Sequence, residues 1–492
     1  MRRCLSVILL VVAVGSCGGG KKAGRSFHAL PPLGARLLVL APHPDDEVLG
    51  AAGMIEAAVR RGADVRVVVA TDGEAGPDRL RAGSDLPRER RDETRHALAD
   101  LGVGAAAITF LGYADGSLAG AWSERWAARK RNEGRGSADE IVADLRDALH
   151  AAPPDSVVLP MPVDRHPDHA ALNRFALLAI LAEFSEEPEP ALFGYLIHGG
   201  RQWPESGRDP VASESPPEGC AGSLFPWTAV VLDGPGVQRK ASLIAQYRSQ
   251  VASGSRLFRY AGRDEPFATG QVIHGPRSMS PTFPGLRRTG QSIAIRVPRG
   301  ECTVEPGRKD RLRLRFIRAG QIEERLIQFP GGVPNTRGGT LGQSLVTERD
   351  VTVTTGTRSV RLALALDAFR DIPGAVLEVL PQSPERVGPA WLLRWRGANL
   401  RVGGFISRLL TGRFDPGRPF SSKYPASALA PSAQPHDDGR ATTLPRAANA
   451  PLRVNVEWPP RRGSPGSLPL GTERTRRATR DPGPRRGERC CS

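Results

Sequence analysis

Short apolar runs alternate with helix-like segments over the first half of the chain. Runs typical of buried strands lie at 36–40, 64–70, 108–111, 156–159 and 191–197, and segments of helical length and pattern lie at 48–61, 87–101, 138–150 and 167–184. Strands that alternate with helices form a parallel sheet with helices on both faces. The pattern therefore predicts an α/β, Rossmann-like domain over residues 35–270, with function at the carboxyl ends of its strands.

The pattern changes after residue 270. Residues 311–316, 351–354 and 360–362 alternate apolar and other side chains with period two, and long helical segments are missing. This alternation is typical of antiparallel strands and predicts a smaller all-β module over 271–411, of which a sandwich is one form. Residues 412–492 contain 13 Pro and 8 Gly in 81 positions. That composition predicts a disordered tail.

The net charge of +16 invites a nucleic-acid partner, but its make-up argues against one. Only six of the 68 basic residues are Lys, so the charge reflects an Arg-rich composition. Half of the excess lies in residues 412–492, which hold 15 basic and 7 acidic residues. Aromatic residues make up only 5% of the chain, which disfavours base-stacking platforms. No nucleic-acid partner is expected.

The N-terminus has the pattern of an export signal. Basic residues Arg2 and Arg3 precede an apolar run over 5–14, which is shorter than the ~20 residues of a membrane span. Residues 14–17, Val-Gly-Ser-Cys, resemble a bacterial lipobox, so we expect a signal peptide over 1–17, a lipid anchor on Cys17 and a linker over 18–34. The expected location is the extracytoplasmic side of a bacterial envelope, anchored in the membrane. A plain secretory signal is the alternative.

The remaining cysteines show no spacing typical of a zinc site. Cys220 and Cys302 lie far apart in the sequence, and Cys490 and Cys491 stand near its end. A disulfide between Cys220 and Cys302 is permitted in an exported protein, although the sequence cannot establish it.

Two His/Asp clusters follow two of the predicted strands. Pro-His-Pro-Asp-Asp-Glu occupies 42–47 after the first strand, and Asp-Arg-His-Pro-Asp-His occupies 164–169 after the fourth. Zn²⁺ is well served by two imidazoles and a carboxylate with one position open for water, and His43, Asp46 and His169 supply that set. Asp45 is then a second carboxylate that can accept a proton from water.

The second cluster offers two further groups. His166 lies three residues before His169, so both rings can point inward at the start of a helix, where Pro167 suits the first helical position. Asp168 can hydrogen-bond an imidazole and fix its tautomer.

With these two motifs the sequence is similar to the PIG-L/LmbE-like family of metal-dependent de-N-acetylases, whose signatures are PHPDDE and HPDH. Further similar segments are Thr-Asp-Gly-Glu at 71–74, Arg90-x-x-Glu93, 110–116, and Tyr247-x-Ser249-Gln250. The resemblance covers roughly residues 35–270.

The resemblance implies a role for each matched residue. It implies that His43, Asp46 and His169 bind zinc, or iron, and that Asp45 is the general base. It further implies that His166 stabilises the oxyanion or protonates the leaving amine, that Asp168 orients His166, and that Arg90 and Asp115 contact the sugar. Alternatively, Arg90 pairs with Glu93 on a solvated helix face and Asp115 closes a turn.

One departure concerns an oxyanion donor. Some members of the family have a Tyr two residues before the first His of HPDH, whereas this chain has Asp164. Tyr247 is the nearest candidate to replace it.

The activity implied is hydrolysis of the acetamido group of an N-acetylated amino sugar, of N-acetylglucosamine type, in a glycoconjugate outside the cytoplasm. Two alternatives stay open at this point. The chain is an amidase that acts on another N-acyl group, or it is an exported glycan-binding lipoprotein with an inactive site.

Overall fold

The structure is a computed structural model that describes residues 27–122, 136–185, 189–200, 203–204, 214–252, 255–274, 284–304, 310–328, 344–348, 351–382 and 387–395. All of these residues fall in one compact unit of the chain. The predicted signal peptide with Cys17, most of the linker and the predicted disordered tail lie outside the described residues. Among the described helices, none combines the length and the apolar character needed to cross a bilayer.

The first part of the chain folds as a seven-stranded sheet with helices on both faces. Its strands are β1 (Arg36–Ala41), β2 (Asp64–Thr71), β3 (Ile108–Tyr113), β4 (Ser156–Pro160), β5 (Ala191–Tyr195), β6 (Trp227–Val231) and β7 (Asp264–Ala268). Its helices are α1 (Asp46–Arg60), α2 (Leu86–Asp100), α3 (Leu118–Ala121), α4 (Ala138–Ala151), α5 (Pro167–Glu183), α6 (Gly219–Leu224) and α7 (Gly234–Ile244).

The strand order is β3-β2-β1-β4-β5-β7-β6, and the first five strands are parallel. Successive side chains of a strand point to opposite faces. Leu37 and Val39 of β1 accordingly pack with α1, α2 and α7, whereas Leu38 and Leu40 pack with α3, α4 and α5. The predicted α/β class is confirmed. The antiparallel strands β6 and β7 at one edge were not predicted.

The described residues of the second part form β-strands and one short helix. It comprises β8 (Val272–Ile273), β9 (Gly285–Thr289), β10 (Ser292–Pro298), β11 (Arg311–Arg318), β12 (Gln321–Gln328), β13 (Ser344–Glu348), β14 (Val351–Thr355), β15 (Ser359–Ala365), α8 (Leu366–Phe369), β16 (Gly374–Leu380) and β17 (Ala390–Arg394). Two five-stranded sheets, β13-β14-β15-β10-β9 and β12-β11-β16-β17-β8, share one apolar core. The predicted all-β module is therefore a sandwich.

Helix α5 joins the two parts. Every residue from Asp168 to Leu181 is buried, so the helix is covered all round, as expected for a helix without a polar face. One side packs on the parallel sheet, and the other packs against Val376, Ala390 and Leu392 of the sandwich. The sheet that contains β11, β16 and β17 is consequently covered on both faces. A disulfide between Cys220 and Cys302 also links the two parts.

Candidate active site

The two His/Asp clusters meet at one end of the parallel sheet. Strands β1 and β4 are adjacent and parallel, so the loops that follow them leave the sheet at the same edge. His43 follows β1 and Asp46 is the first residue of α1, while His166 directly precedes α5 and His169 lies in its first turn. The expectation that both clusters converge in one crevice is confirmed by this arrangement.

His43, Asp46 and His169 form a buried set of metal-type donors. Asp46 Oδ2 lies 3.0 Å from His43 Nδ1 and 3.1 Å from His169 Nε2. Among the described residues, neither ring nitrogen of His169 makes a hydrogen bond of ordinary geometry, although the ring is fully buried. Two buried imidazoles that converge on one carboxylate oxygen are the type of donor set that a divalent cation of borderline softness prefers. The residues present therefore fit a zinc-type ion.

His166 extends this donor set. Ring nitrogens of His43, His166 and His169 all lie within 4.8 Å of one another. Burial and the neighbouring charges of His169 and His43 lower the pKa of His166 to about 4. Its imidazole is thus neutral at pH 7 in the arrangement described, and it can accept a proton during a reaction.

His169 and the carboxylates beside it each favour the charged form of the other. Burial alone lowers the pKa of His169, but Asp46 and Asp164 outweigh it and raise that pKa to about 9. Burial likewise opposes ionisation of Asp164, yet the charge of His169 holds the pKa of Asp164 at about 2. Asp164 Oδ2 lies 3.2 Å from His169 Nδ1, so it orients the ring whose other nitrogen faces Asp46.

The carboxyl group of Asp45 has a raised pKa. Burial raises its pKa to about 7, with Arg90 opposing and Asp46 and Glu47 reinforcing that shift. Its φ of 125° lies in a region that non-glycine residues rarely adopt, and such strain concentrates at functional sites. The Asp45 N–H donates to Glu47 Oε2 at 3.1 Å, which helps to hold this conformation.

Arg90 is buried and its guanidinium contacts Asp45. Its guanidinium donates to Asp45 Oδ2 at 3.1 Å, to Pro44 O at 2.6 Å and to Gly73 O at 2.5 Å. It does not pair with Glu93, whose carboxylate accepts hydrogen bonds from Ser249 instead, so the alternative of a solvated ion pair is wrong. The predicted contact of Arg90 with a sugar stays a prediction.

Asp115 and Asp168 approach His43 from the opposite side. His43 Nε2 lies 3.2 Å from Asp115 Oδ1 and 3.6 Å from Asp168 Oδ2. Burial lowers the pKa of His43, but these carboxylates and Asp46 outweigh it and raise that pKa well above its ordinary value. Asp115 also accepts the N–H of Ala75 at 3.2 Å, which ties two loops of the site together. Its predicted sugar contact stays a prediction.

The contacts of Asp168 differ from those expected. Asp168 accepts the backbone N–H of Gly116 at 2.7 Å and of Ala119 at 3.3 Å, and no described residue hydrogen-bonds His166 Nδ1. The carboxylate is thus engaged by the loop after β3, and the expected orientation of His166 by Asp168 is not seen. A catalytic role for Asp168 stays a prediction.

Tyr247 is not available as an oxyanion donor. Its buried hydroxyl donates to Glu47 Oε1 at 2.5 Å, behind the first turn of α1. The suggestion made from the sequence is therefore wrong. Sequence reasoning also missed His198, which lies beside His166 and His169. Its only signal was its position just after a predicted strand.

Comparison with known proteins agrees with this arrangement. Residues 38–180 match the PIG-L family, described as GlcNAc-PI de-N-acetylase. This segment contains both His/Asp clusters, strands β2, β3 and β4, and most of β1. The chain thus carries a PIG-L family domain.

Two curated relatives share this region. The 1D-myo-inositol 2-acetamido-2-deoxy-alpha-D-glucopyranoside deacetylase of Streptomyces griseus is 29% identical over 240 residues, which span 45% of this chain and 71% of the relative. The 2'-N-acetylparomamine deacetylase of Streptomyces fradiae is 35% identical over 142 residues, 28% of this chain and 50% of the relative. The chain thus spans half the length of the second relative. The solved N,N'-diacetylchitobiose deacetylase of Pyrococcus horikoshii is 22% identical, with a TM-score of 0.32 over 45% of this chain and 72% of that chain.

Proposed function

We propose that this protein is a metal-dependent hydrolase that removes the acetyl group from an N-acetylated amino sugar outside the cytoplasm. The observation that carries the proposal is the buried convergence of His43, Asp46 and His169 beside Asp45. The two Streptomyces relatives are named as deacetylases of acetylated amino sugars, which supports this substrate class.

In this proposal His43, Asp46 and His169 would hold the metal. A divalent ion held there would supply a Lewis acid for hydrolysis of the amide. Asp45, the carboxylate next to Asp46 that Arg90 hydrogen-bonds, is placed to accept the proton of the attacking water. The hydrogen bond from Arg90 holds the Asp45 carboxylate in place. His166, neutral and half-buried at the mouth, hydrogen-bonds the developing oxyanion or carries the proton to the departing amine.

The extracytoplasmic location rests on two independent features. The basic and apolar N-terminus with Cys17 has the pattern of a lipoprotein signal. The disulfide between Cys220 and Cys302 belongs to proteins that mature in oxidising compartments. A lipid anchor at Cys17 would place the site near the membrane surface, within reach of envelope or environmental glycans.

The test is acetate release by the full chain from a panel of N-acetylglucosamine conjugates, with bound metal quantified in the same sample. We expect stoichiometric zinc or iron, and acetate release that a chelator abolishes and added metal restores. Release of a different acyl group alone would make the protein an amidase of another class. Bound metal and tight glycan binding without any acetate would instead favour a glycan-binding lipoprotein with an inactive site.

A further inference from the structure

His198 places a fourth imidazole at the site. Its ring centroid lies 4.7 Å from that of His169 and 5.0 Å from that of His166, and these two rings are 5.1 Å apart. The three rings thus form a triangle. The three rings differ in exposure: His169 is buried, His166 is half-buried and His198 is exposed. His198 therefore stands at the mouth of the crevice whose floor holds the metal-type donors.

The backbone at His198 is fixed by the same carboxylate that orients His169. Asp164 Oδ2 accepts the N–H of Ile197 at 2.9 Å and of His198 at 3.0 Å, besides lying 3.2 Å from His169 Nδ1. Arg165 N donates back to His198 O at 3.3 Å, and the Tyr260 hydroxyl donates to Ile197 O. These hydrogen bonds therefore fix the loop after β5 relative to Asp164 and His169.

These contacts explain the position of the loop but not the imidazole. Among the described residues, the hydrogen bonds that hold the loop at His198 use its main chain, so another side chain at this position would be presented in the same way. An exposed ring adds little to the stability of the fold. It does offer one donor or acceptor at each nitrogen, beside a site that must hold a polar substrate.

We propose that His198 is a substrate-contacting residue whose imidazole hydrogen-bonds a hydroxyl of the amino sugar next to the acetamido group. This inference rests on the proposed function. A sugar hydroxyl both donates and accepts, and a neutral imidazole matches either role. With the acetamido group directed at His43, Asp46 and His169, the sugar ring lies toward the mouth, where His198 is presented. His198 would thus contribute to substrate affinity rather than to metal binding.

Three variants separate the hydrogen bond from the bulk of the ring. His198→Ala removes both, His198→Phe keeps a ring without polar atoms, and His198→Asn keeps a donor and an acceptor. His150→Ala is the matched control, since His150 is an exposed imidazole paired with Glu183 at the far end of α5. That end lies about 25 Å from His166, because α5 has 17 residues.

The readouts are KM, kcat, bound metal and the calorimetric affinity of the substrate in an Asp45→Asn background. We expect His198→Ala and His198→Phe to raise KM and weaken calorimetric affinity about tenfold, as for the loss of one hydrogen bond. Bound metal should not change, kcat should stay within about threefold of wild type, and His198→Asn should recover part of the affinity.

The result that overturns the inference is unchanged KM and unchanged affinity in both His198→Ala and His198→Phe while wild type is active. Loss of metal in these variants would also contradict it, because His198 would then act on the metal site. If wild type neither releases acetate from the amino sugars nor binds them, the proposed function fails, and this inference fails with it.

Discussion

At the scale of single residues, the two signature motifs predicted the donors but not what supports them. His43, Asp46 and His169 could be chosen from residue type and spacing, since each motif follows a strand of the same parallel sheet. The contacts of Arg90 and Asp168 could not be predicted in this way. They join loops that are distant in sequence, and no periodicity records which loop faces which.

A substitution at Gly73 tests whether Arg90 positions the carboxylate of Asp45. Its φ is 66°, and a Cβ added there would collide with the guanidinium of Arg90. Gly73→Ala should therefore displace Arg90 from Asp45 and lower kcat/KM at least tenfold, as misplacement of a catalytic group does. Acetate release and bound metal are measured together, and metal content should stay at the wild-type level.

Gly62→Ala is the matched control for that experiment. Gly62 has a similar φ of 74°, but an added Cβ there meets no atom within 4 Å. Both variants carry comparable backbone strain, of about 1–2 kcal/mol, so the displacement of Arg90 is the difference between them. Equal activity in the two variants would show that Arg90 does not position Asp45.

At the scale of secondary-structure elements, the apolar pattern predicted most of the sheet and missed one edge. The two central strands β1 and β4 contain continuous apolar runs, as is usual for parallel strands buried on both faces. Strand β7, Asp-Glu-Pro-Phe-Ala, contains two acidic residues and a proline, all disfavoured in strands. Its place beside β5 depends on tertiary packing, which no local pattern shows.

Helix α5 is the element that connects the site to the sandwich. Its Arg174 lies among the buried charges of the facing sheet, with Nε 2.6 Å from Glu378 Oε1. Glu378 also accepts from Arg313 Nη2 at 2.6 Å and from Trp122 Nε1 at 3.1 Å. Trp122 directly follows α3, so this cluster links α5, through Arg174, and the end of α3 to the sandwich.

Glu378→Gln should destabilise the protein by about 3–5 kcal/mol at pH 7, because it leaves the buried guanidinium groups without their counter-charge. Burial opposes ionisation, but Arg174, Arg313 and Arg315 lower the pKa of Glu378 to about 2, below its ordinary value. Its stabilising effect is therefore complete above pH 4.5 and is lost as the pH falls toward 2. Urea unfolding of wild type and variant at several pH values measures the difference.

The control for this experiment is Asp367→Asn, which breaks an exposed ion pair with Arg370. Exposed pairs contribute about 0–1 kcal/mol, so this variant should unfold close to wild type. If the difference in unfolding free energy between wild type and Glu378→Gln stays the same as the pH falls toward 2, the ionised state assigned to Glu378 is contradicted.

At the scale of the whole molecule, the sandwich supports helix α5, which carries His169. The change of pattern near residue 270 predicted a separate module, and the division of the chain into domains there stays a prediction. In the structure, α5 is buried on one side by Val376, Ala390 and Leu392, and Cys220 is bonded to Cys302. The sequence signal for this covering is the apolar run Phe175–Leu181 in α5, because a helical segment that is apolar on every side must be buried on every side.

Residues 35–270 expressed alone should therefore fold poorly. The truncation uncovers the outer side of α5 and leaves Arg174 without Glu378, so we expect aggregation or a much lower melting temperature than that of residues 27–395. Size-exclusion chromatography and thermal unfolding of both fragments measure this. A monomeric 35–270 fragment with an unchanged melting temperature would show that the sandwich gives no support.

The most direct test of the central claim compares wild type, Asp45→Asn and His169→Ala as full chains in one assay of acetate release and bound metal. The account predicts that wild type binds metal and releases acetate from an N-acetylated amino sugar. Asp45→Asn should keep the metal and lose activity by about 10²–10⁴-fold, as for removal of a general base, and His169→Ala should lose the metal as well. Full activity in Asp45→Asn, or full metal content in His169→Ala, would contradict it.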